Sequence, residues 1–464
     1  MNNIFNKHGF IILILCFAKI MTLQSLLAQM PENNDDDFLV FVTSHPTRQE
    51  IANRITNILV QNFEKAEKIN ERQEMIHGFS GGSQLSGYML RCTNFYLFQK
   101  QLELLQWQHR TAGDGSIYKE VAQIFIIYTY PKHIKSAKEM ASFAADKKFV
   151  SLTADDYIDA EIMLDRTVRE WLDFLATNKT EEDRSDQILQ LLEGNVEKAD
   201  RIFKGFSHRL TFVPRPLGQI TQPLEPQPVS LAESFARLYA EFYLQQKQIE
   251  LLRWQYESAR EEGERDTMAE NLVATYEKQL VTAQKLVEMS KKVFQQLEMT
   301  VTTCLHCEIL LDNTALELLS LTSKAANHGH DPIFSHLEKN VEKTGKMLKE
   351  FEELQEPANW TFSNWESWKS SYLLHVEFYL HQKQIELLRW QYEKTEGDEA
   401  RNLAANELVA VYAKQVVTAK KIAQTNAELL EYARCTMKDY LDSEINLDQT
   451  TLDMLNFMLL IQVE

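Results

Sequence analysis

The sequence predicts an all-α protein made of three tandem four-helix-bundle-like repeats joined by variable linkers. The first reason is a segment that occurs three times, as FYLFQKQLELLQWQ at 95–108, FYLQQKQIELLRWQ at 242–255 and FYLHQKQIELLRWQ at 378–391. The second is a companion segment, Glu-x-x-Leu-Asp-x-Thr, which begins at Glu161, Glu308 and Glu444. The tryptophan of the first segment and the aspartate of the second are 58 residues apart in every copy. A constant spacing of this kind indicates one structural unit repeated along the chain.

The composition is compatible with a large helical core and limits the partners. The 464 residues include only 14 glycines and 10 prolines, and 44% of the residues are apolar. Asp and Glu number 67 against 49 Lys and Arg, which gives a net charge of −18. Such a surface repels phosphate and anionic lipid, so the sequence predicts neither nucleic acid nor an anionic membrane as a partner.

Residues 1–28 have the pattern of a secretory signal peptide. Lys7 supplies the positive charge, an apolar run covers 10–18, and Ala18 and Ala28 are the candidate cleavage points. The alternative is an uncleaved membrane anchor, but Lys19 follows an apolar run that is shorter than the ~20 residues a span needs. We therefore expect a secreted or extracellular protein with no membrane span after cleavage, in which an acidic leader, 29–46, precedes the first unit.

The three units are predicted at 47–180, 181–327 and 328–464, each with four helices, A to D. Helix A contains an Asn-x-Glu-Lys motif that begins at Asn62, Asn195 and Asn340. Helix B contains the fourteen-residue segment, which has no glycine or proline and is rich in helix-forming residues. Each helix has an apolar stripe to bury, and a four-helix bundle does this. On this division, 182–326 should contain a complete core and fold alone.

The connectors between the helices differ in kind. The A–B connector is rich in Gly and Ser at 77–87, in proline at 214–228 and in aromatic residues at 360–368. The B–C turn contains glycine where glycine commonly ends helices, at Gly113 and Gly115, Gly263, and Gly397. Between helices C and D, a threonine recurs in the same register, at Thr153, Thr300 and Thr436. Because threonine favours helix N-caps, we expect a break there and not one long helix.

Two short motifs bear on modification and redox chemistry. Asn178-Lys-Thr and Asn359-Trp-Thr are N-glycosylation sequons that lie between motif helices, as an exposed acceptor requires, and they favour a secreted glycoprotein. Cys304-Leu-His-Cys307 has the spacing of a redox or metal pair, but it is a single pair within a predicted helix. Two buried thiols are the expected interpretation of this pair.

The repeated polar and aromatic residues are the candidate structural or binding residues. In helix B they are a tyrosine, a lysine and a tryptophan, and in helix D they are a glutamate and an aspartate at i and i+4. The helix B residues are Tyr96, Lys100 and Trp107, then Tyr243, Lys247 and Trp254, then Tyr379, Lys383 and Trp390. The helix D residues are Glu161 and Asp165, Glu308 and Asp312, and Glu444 and Asp448.

The helix D carboxylates have two interpretations. They could hold a metal or act in acid–base chemistry, but carboxylate-bridged di-iron bundles also need Glu-x-x-His, and no histidine recurs in the repeats. The structural interpretation is favoured because half-buried carboxylates need partners. The only basic residue repeated in helix B is the lysine, so we expect it to contact a helix D carboxylate of its own unit.

The function predicted from these features is that of a secreted, non-enzymatic interaction or scaffold protein with no cofactor and no metal. The chain contains no GxSxG, no glycine-rich phosphate loop, no HExxH and no paired CxxC motifs. Three linked modules suit avid binding of a protein partner, whose identity is unknown. The alternatives are a carrier of apolar ligands or lipids inside opened bundles, and a carboxylate–metal enzyme.

Overall fold

The structure, a computed structural model, describes residues 46–79, 84–145, 154–176, 181–209, 231–295, 301–323, 331–353, 355–356, 365–431 and 437–462. These residues form twelve α-helices and no strand, which confirms the all-α class. The first unit contains α1 (Arg48–Phe79), α2 (Gln84–Thr111), α3 (Ile117–Ala145) and α4 (Ala154–Ala176). The second contains α5 (Glu181–Arg209), α6 (Leu231–Ser258), α7 (Glu262–Gln295) and α8 (Val301–Ser323). The third contains α9 (Pro332–Glu352), α10 (Trp365–Lys394), α11 (Asp398–Glu431) and α12 (Met437–Ile461).

Within each unit the helices pack side by side in chain order, A on B, B on C and C on D. Polar contacts between α1 and α2 show that these two helices are antiparallel. Thr93 Oγ1 donates to Asn70 Oδ1 at 2.9 Å, and Trp107 Nε1 donates to Thr56 Oγ1 at 2.9 Å. The later residue of α2 therefore contacts the earlier residue of α1. This consecutive packing is consistent with bundle-like repeats.

The chain reverses between helices C and D, because the two pack against each other along their length in all three units. One long continuous helix is therefore excluded. The three threonines predicted to cap helix D lie outside the described residues, immediately before Ala154, Val301 and Met437.

The B–C turns of the first and third units contain the predicted glycines, but these glycines do not end helix B. Gly115 has φ +73° and Gly397 has φ +92°, a conformation that favours glycine, and they lie four and three residues after α2 ends at Thr111 and α10 ends at Lys394. Gly263 instead lies in the first turn of α7, so the turn of the second unit needs no glycine in the left-handed region.

The apolar cores cross the predicted unit boundaries. The core of the second unit combines residues of α5, α6, α7 and α8 with Ile158, a fully buried residue of α4 in the first unit. Tyr157 and Ile162 of α4 pack against the same cluster. The expectation that 182–326 contains a complete core is therefore wrong, because part of that core lies before residue 182.

The third unit closes back onto the first. Helix α12 packs against α1 and α2, and one core cluster joins Ile51 and Ile55 of α1 to Met454 and Leu455 of α12. The two ends of the described chain meet, with Gln462 Nε2 donating to the carbonyl of Pro46 at 2.9 Å. The three units therefore form a closed ring in which helix D of each unit contacts helices A and B of the next.

Several predicted features lie outside the described residues. They are the signal peptide and leader, the threonines before helix D, the sequons at Asn178 and Asn359, the prolines at 214–228 and Cys435. No helix formed by the described residues combines the length and apolar character needed to cross a membrane.

Candidate functional site

The repeated residues meet at three equivalent contacts, which we call joints. A joint is the contact between helix D of one unit and helices A and B of the next. Joint 1 is α12 against α1 and α2, joint 2 is α4 against α5 and α6, and joint 3 is α8 against α9 and α10.

Joint 3 shows the arrangement in full, centred on the carboxylate of Asp312. Its Oδ1 lies 2.8 Å from Lys343 Nζ of helix A. Its Oδ2 accepts a hydrogen bond from the Tyr379 hydroxyl at 2.5 Å and lies 3.5 Å from Lys383 Nζ, both on helix B. Two lysines and one tyrosine therefore share a carboxylate whose side chain is only 2% exposed.

Joint 2 repeats this arrangement around Asp165. The Tyr243 hydroxyl donates to Asp165 Oδ2 at 2.8 Å, Lys247 Nζ lies 3.4 Å from the same oxygen, and Lys198 forms an ion pair with Oδ1. Lys198 also lies 2.9 Å from Oε2 of Glu161, so helix A contacts both carboxylates of α4.

Joint 1 has the same set of partners, supplied by opposite ends of the chain. Asp448 lies 3.1 Å from Lys65 Nζ and 3.0 Å from Lys100 Nζ, and it accepts from the Tyr96 hydroxyl at 3.1 Å. Lys65 also pairs with Glu444 at 2.6 Å. The ring is therefore closed by the same chemistry that connects consecutive units.

The glutamate and aspartate of helix D act as a pair because residues at i and i+4 lie on one helix face. The helix A lysine bridges them in each joint. In joint 3, Lys343 Nζ lies 3.1 Å from Glu308 Oε2 as well as contacting Asp312, and Glu308 is also 3.0 Å from Lys291 of α7. Each helix A therefore contributes one lysine that pairs with both carboxylates of a D helix.

The helix B lysine is the most buried charge of each joint. The exposed fractions of the side chains are 2% for Lys100, 4% for Lys247 and 0% for Lys383. Each pairs with a glutamate three residues later, at 3.0 Å, in addition to the helix D aspartate; these are Glu103, Glu250 and Glu386. The ammonium groups also lie 5.2–5.5 Å from the rings of Tyr96, Tyr243 and Tyr379, within cation–π range. A buried ammonium needs such partners because its desolvation is otherwise uncompensated.

The predicted partner type was correct, but the predicted unit was wrong. We expected Lys100, Lys247 and Lys383 to contact carboxylates of their own units. They contact Asp448, Asp165 and Asp312, each of which lies in the unit before it around the ring. The reason is that helix D packs on its own helix C on one side, while its carboxylate face meets helices A and B of the next unit.

The helix A lysines, Lys65, Lys198 and Lys343, were not among the predicted site residues. Their signal was present in the sequence, because they are the lysines of the repeated Asn-x-Glu-Lys motif. The asparagines that begin this motif, Asn62, Asn195 and Asn340, are buried in every unit, while the lysines themselves are half-buried.

Burial alone would lower the pKa of the helix A lysines, but the adjacent carboxylates outweigh it. The charges of Asp448 and Glu444 raise the pKa of Lys65 above its ordinary value. The same balance raises the pKa of Lys198 and of Lys343. For the tyrosines, burial and then the neighbouring aspartate raise the pKa, since both disfavour the phenolate; this holds for Tyr96, Tyr243 and Tyr379.

Alkaline pH is expected to destabilise the protein. A lysine with a raised folded-state pKa stabilises fully below its unfolded pKa of about 10.4, and that stabilisation is lost as the pH rises through the folded pKa. The buried tyrosines act in the same direction, because the unfolded chain ionises first, near pH 10. Urea denaturation at about pH 8 and about pH 11 should show a lower midpoint at the higher pH. An unchanged midpoint would show that ionisation of the joint lysines and tyrosines does not affect the stability of the fold.

The three helix B tryptophans do not share one environment. Trp107 is buried and hydrogen-bonded to Thr56, whereas Trp254 and Trp390 are half-buried. The ring of Trp390 packs on Phe334 of α9, with centroids 5.1 Å apart. Trp107 therefore belongs to the apolar cluster that joins α1 to α12 at joint 1, whereas Trp390 packs within its own unit.

The described cysteines are free thiols, so the Cys304–Cys307 spacing is not a disulfide. Cys307 is fully buried in the core of the second unit, and Cys304 Sγ lies 3.5 Å from the carbonyl of Ser290. Burial raises the pKa of Cys304 to about 11. Among the described residues, no group of three or more His, Cys, Asp or Glu side chains is placed to hold a metal ion.

His133 of α3 is a buried polar residue that the sequence patterns did not single out. It packs on the ring of Phe95, with centroids 4.2 Å apart, and neither ring nitrogen has a hydrogen-bond partner. Burial, and then the charge of Arg166, lowers its pKa to about 3, so it is neutral in the folded protein at physiological pH. The residues three positions after the helix C tyrosine in the other units, Gln279 and Gln415, are buried too.

A surface depression beside joint 1 has a volume of about 310 Å³. It is lined by Gln61, Glu64, Lys65, Lys68 and Ile69, all of which lie on α1.

No protein-family model matches the chain, and no curated protein matches it significantly. What the joints can do therefore follows from their own chemistry. In each joint the aspartate has three partners from two other helices, and the glutamate pairs with the helix A lysine. These contacts hold three helices in one register.

Proposed function

We propose that this chain is a secreted, non-enzymatic scaffold protein that binds other proteins through the outer surfaces of its ring. The observation that supports the proposal is the use of the repeated residues. The repeated lysines, tyrosines and carboxylates pair with one another at joints 1, 2 and 3. Because these repeated residues hold the units together, the outer surfaces of the three units can carry different residues.

The physical properties of the joints fit this architectural role. A buried ion pair adds little net stability compared with an apolar pair of the same size, but it penalises any arrangement that leaves one charge unpaired. Three copies of such a pair therefore select one register for each helix D against the next unit. A ring held in one geometry is preorganised, which lowers the entropic cost of binding a partner.

Secretion is part of the proposal and rests on the sequence. The signal pattern at 1–28 and the sequons at Asn178 and Asn359 support it. An uncleaved N-terminal anchor would place the same ring on the outside of a membrane. The mass of the mature chain distinguishes the two, since cleavage after Ala18 or Ala28 removes the apolar segment.

The function is tested by exposing the immobilised mature chain to the medium of the cells that secrete it. We expect a protein to be retained in near-stoichiometric amount by the native chain and to be absent from a urea-unfolded control. Retention of lipid without protein would instead support a carrier of apolar ligands. Retention of neither would overturn the proposal.

A further inference from the structure

Helix α3 exposes an apolar face in addition to the one that it buries. Ile117, Ile124 and Tyr128 are 59%, 51% and 67% exposed, and Val121 between them is half-buried. The opposite side of the same helix packs in the core through residues such as Ile126 and Tyr130. A face of this kind is unusual for a helix that already contributes to a core, because each surface helix normally has one apolar stripe.

The spacing of these residues is that of a helix-docking seam. From Ile117 to Val121, Ile124 and Tyr128, the steps are four, three and four residues. Apolar residues at alternating steps of three and four form the straight line along which a second helix packs. The seam covers about three turns, a length typical of an amphipathic helix laid on a protein surface.

The seam occurs only in the first unit, as comparison of the three C helices shows. When the helices are aligned on Tyr130, Tyr276 and Tyr412, Ile124 corresponds to Glu270 and Asn406. Tyr128 corresponds to Ala274 and Ala410. The fold therefore does not require an apolar residue at these positions, since two units are built without one.

The charge of α3 is opposite to that of the chain. Its 29 residues contain four lysines and two glutamates, a net charge of +2, while the chain as a whole has −18. Lys132 and Lys138 are exposed, and Lys135, with a side chain 78% exposed, continues the line of the seam. In contrast, acidic residues outnumber basic ones in α7 and in α11.

We propose that this face of α3, the α3 seam, docks an acidic amphipathic helix of a protein partner. The proposal rests on the proposed scaffold function and specifies where binding occurs. The partner's apolar stripe covers Ile117, Val121, Ile124 and Tyr128, and its carboxylates meet Lys132 and Lys135. Charge complementarity of this type mainly accelerates association and selects the partner, while the apolar anchors supply most of the affinity.

The test uses the full mature chain and a synthetic helical peptide of about 20 residues, about 30 Å long, with leucine along one stripe and glutamate beside it. We expect saturable binding by fluorescence anisotropy, weakened at about 1 M salt, where the Debye length is about 3 Å. A peptide with lysine in place of glutamate should bind at least about tenfold more weakly.

The matched variants come from the chain's own repeats. The double change Ile124→Glu with Tyr128→Ala installs the residues of α7 at the same positions and should weaken peptide binding at least about tenfold. Val281→Glu, at an apolar residue of α7 that is 48% exposed, should leave binding unchanged. Circular dichroism establishes that both variants remain helical, and equal binding by the double variant and the native chain would overturn the proposal.

Other occupants give distinct results that also overturn it. A native dimer that the double variant converts to a monomer would show that a second copy covers the seam. Binding to vesicles containing anionic lipid, without binding to the peptide, would show a membrane there. Medium proteins still retained by the double variant would leave the scaffold function standing and place the docking face elsewhere.

Discussion

Replacing Asp312 with alanine is expected to lower the free energy of unfolding by about 3–5 kcal/mol. The change leaves the fully buried Lys383 with one of its two carboxylate partners, Glu386, and removes the acceptor of the Tyr379 hydroxyl. Lys343 retains Glu308 but loses its contact at 2.8 Å. Urea denaturation followed by far-ultraviolet circular dichroism measures the loss.

Two comparisons make the result specific to the joint. Lys383→Met should cost less than Asp312→Ala, because Asp312 keeps Lys343 and Tyr379 and the methionine occupies most of the lysine's volume. Lys346→Met removes a fully solvated pair with Glu342 and should not change the midpoint measurably. If Asp312→Ala behaves like Lys346→Met, joint 3 does not stabilise the ring.

The sequence was sufficient to predict the helices because the repeated segments themselves have helical patterns. The segments 95–108, 242–255 and 378–391 lie within α2, α6 and α10, and each Glu-x-x-Leu-Asp-x-Thr segment lies within a D helix. The pairing of lysine with aspartate was also predictable, since a repeated buried cation needs a repeated anion. These inferences depend only on local pattern and on charge balance.

The partner unit was not predictable from the same observations. Because all three D helices contain the same motif, Asp165 matches Lys100 of its own unit and Lys247 of the next equally well by residue type. The constant spacing of 58 residues is compatible with both pairings. The choice is made by the packing of complete helices, which brings α4 against α5 and α6 and is not visible in a single motif.

The exposed seam was missed for a related reason. Ile117, Val121, Ile124 and Tyr128 follow a helical spacing that is indistinguishable in sequence from that of a core face. Only the positions of neighbouring helices show that Ile126 and Tyr130 face the core while Ile124 and Tyr128 do not. Comparison of the three C helices was the available signal, because a core position should be apolar in every repeat.

A fragment covering 154–323 is expected to be markedly more stable than one covering 181–323. Both contain α5 to α8, but only the longer fragment contains α4. That helix supplies Ile158 to the core of the second unit and supplies Asp159, which accepts from the Tyr239 hydroxyl at 2.8 Å. We expect the longer fragment to unfold cooperatively in urea and the shorter one to unfold at a much lower urea concentration or to lack stable tertiary structure.

The reason for the difference is that joint 2 exists only in the longer fragment. Without α4, the buried Lys247 loses Asp165, Lys198 loses both of its carboxylates, and the Tyr243 hydroxyl has no acceptor. The apolar surface that Ile158 covers becomes exposed at the same time, and burying a side chain of this size contributes about 1.5–3 kcal/mol. Asp165→Ala in the longer fragment should reproduce part of the loss and so separate the ion network from the apolar contact. Equal urea midpoints for the two unmodified fragments would show that the stable unit ends where the sequence repeat ends, with helix D of the preceding unit contributing nothing to it.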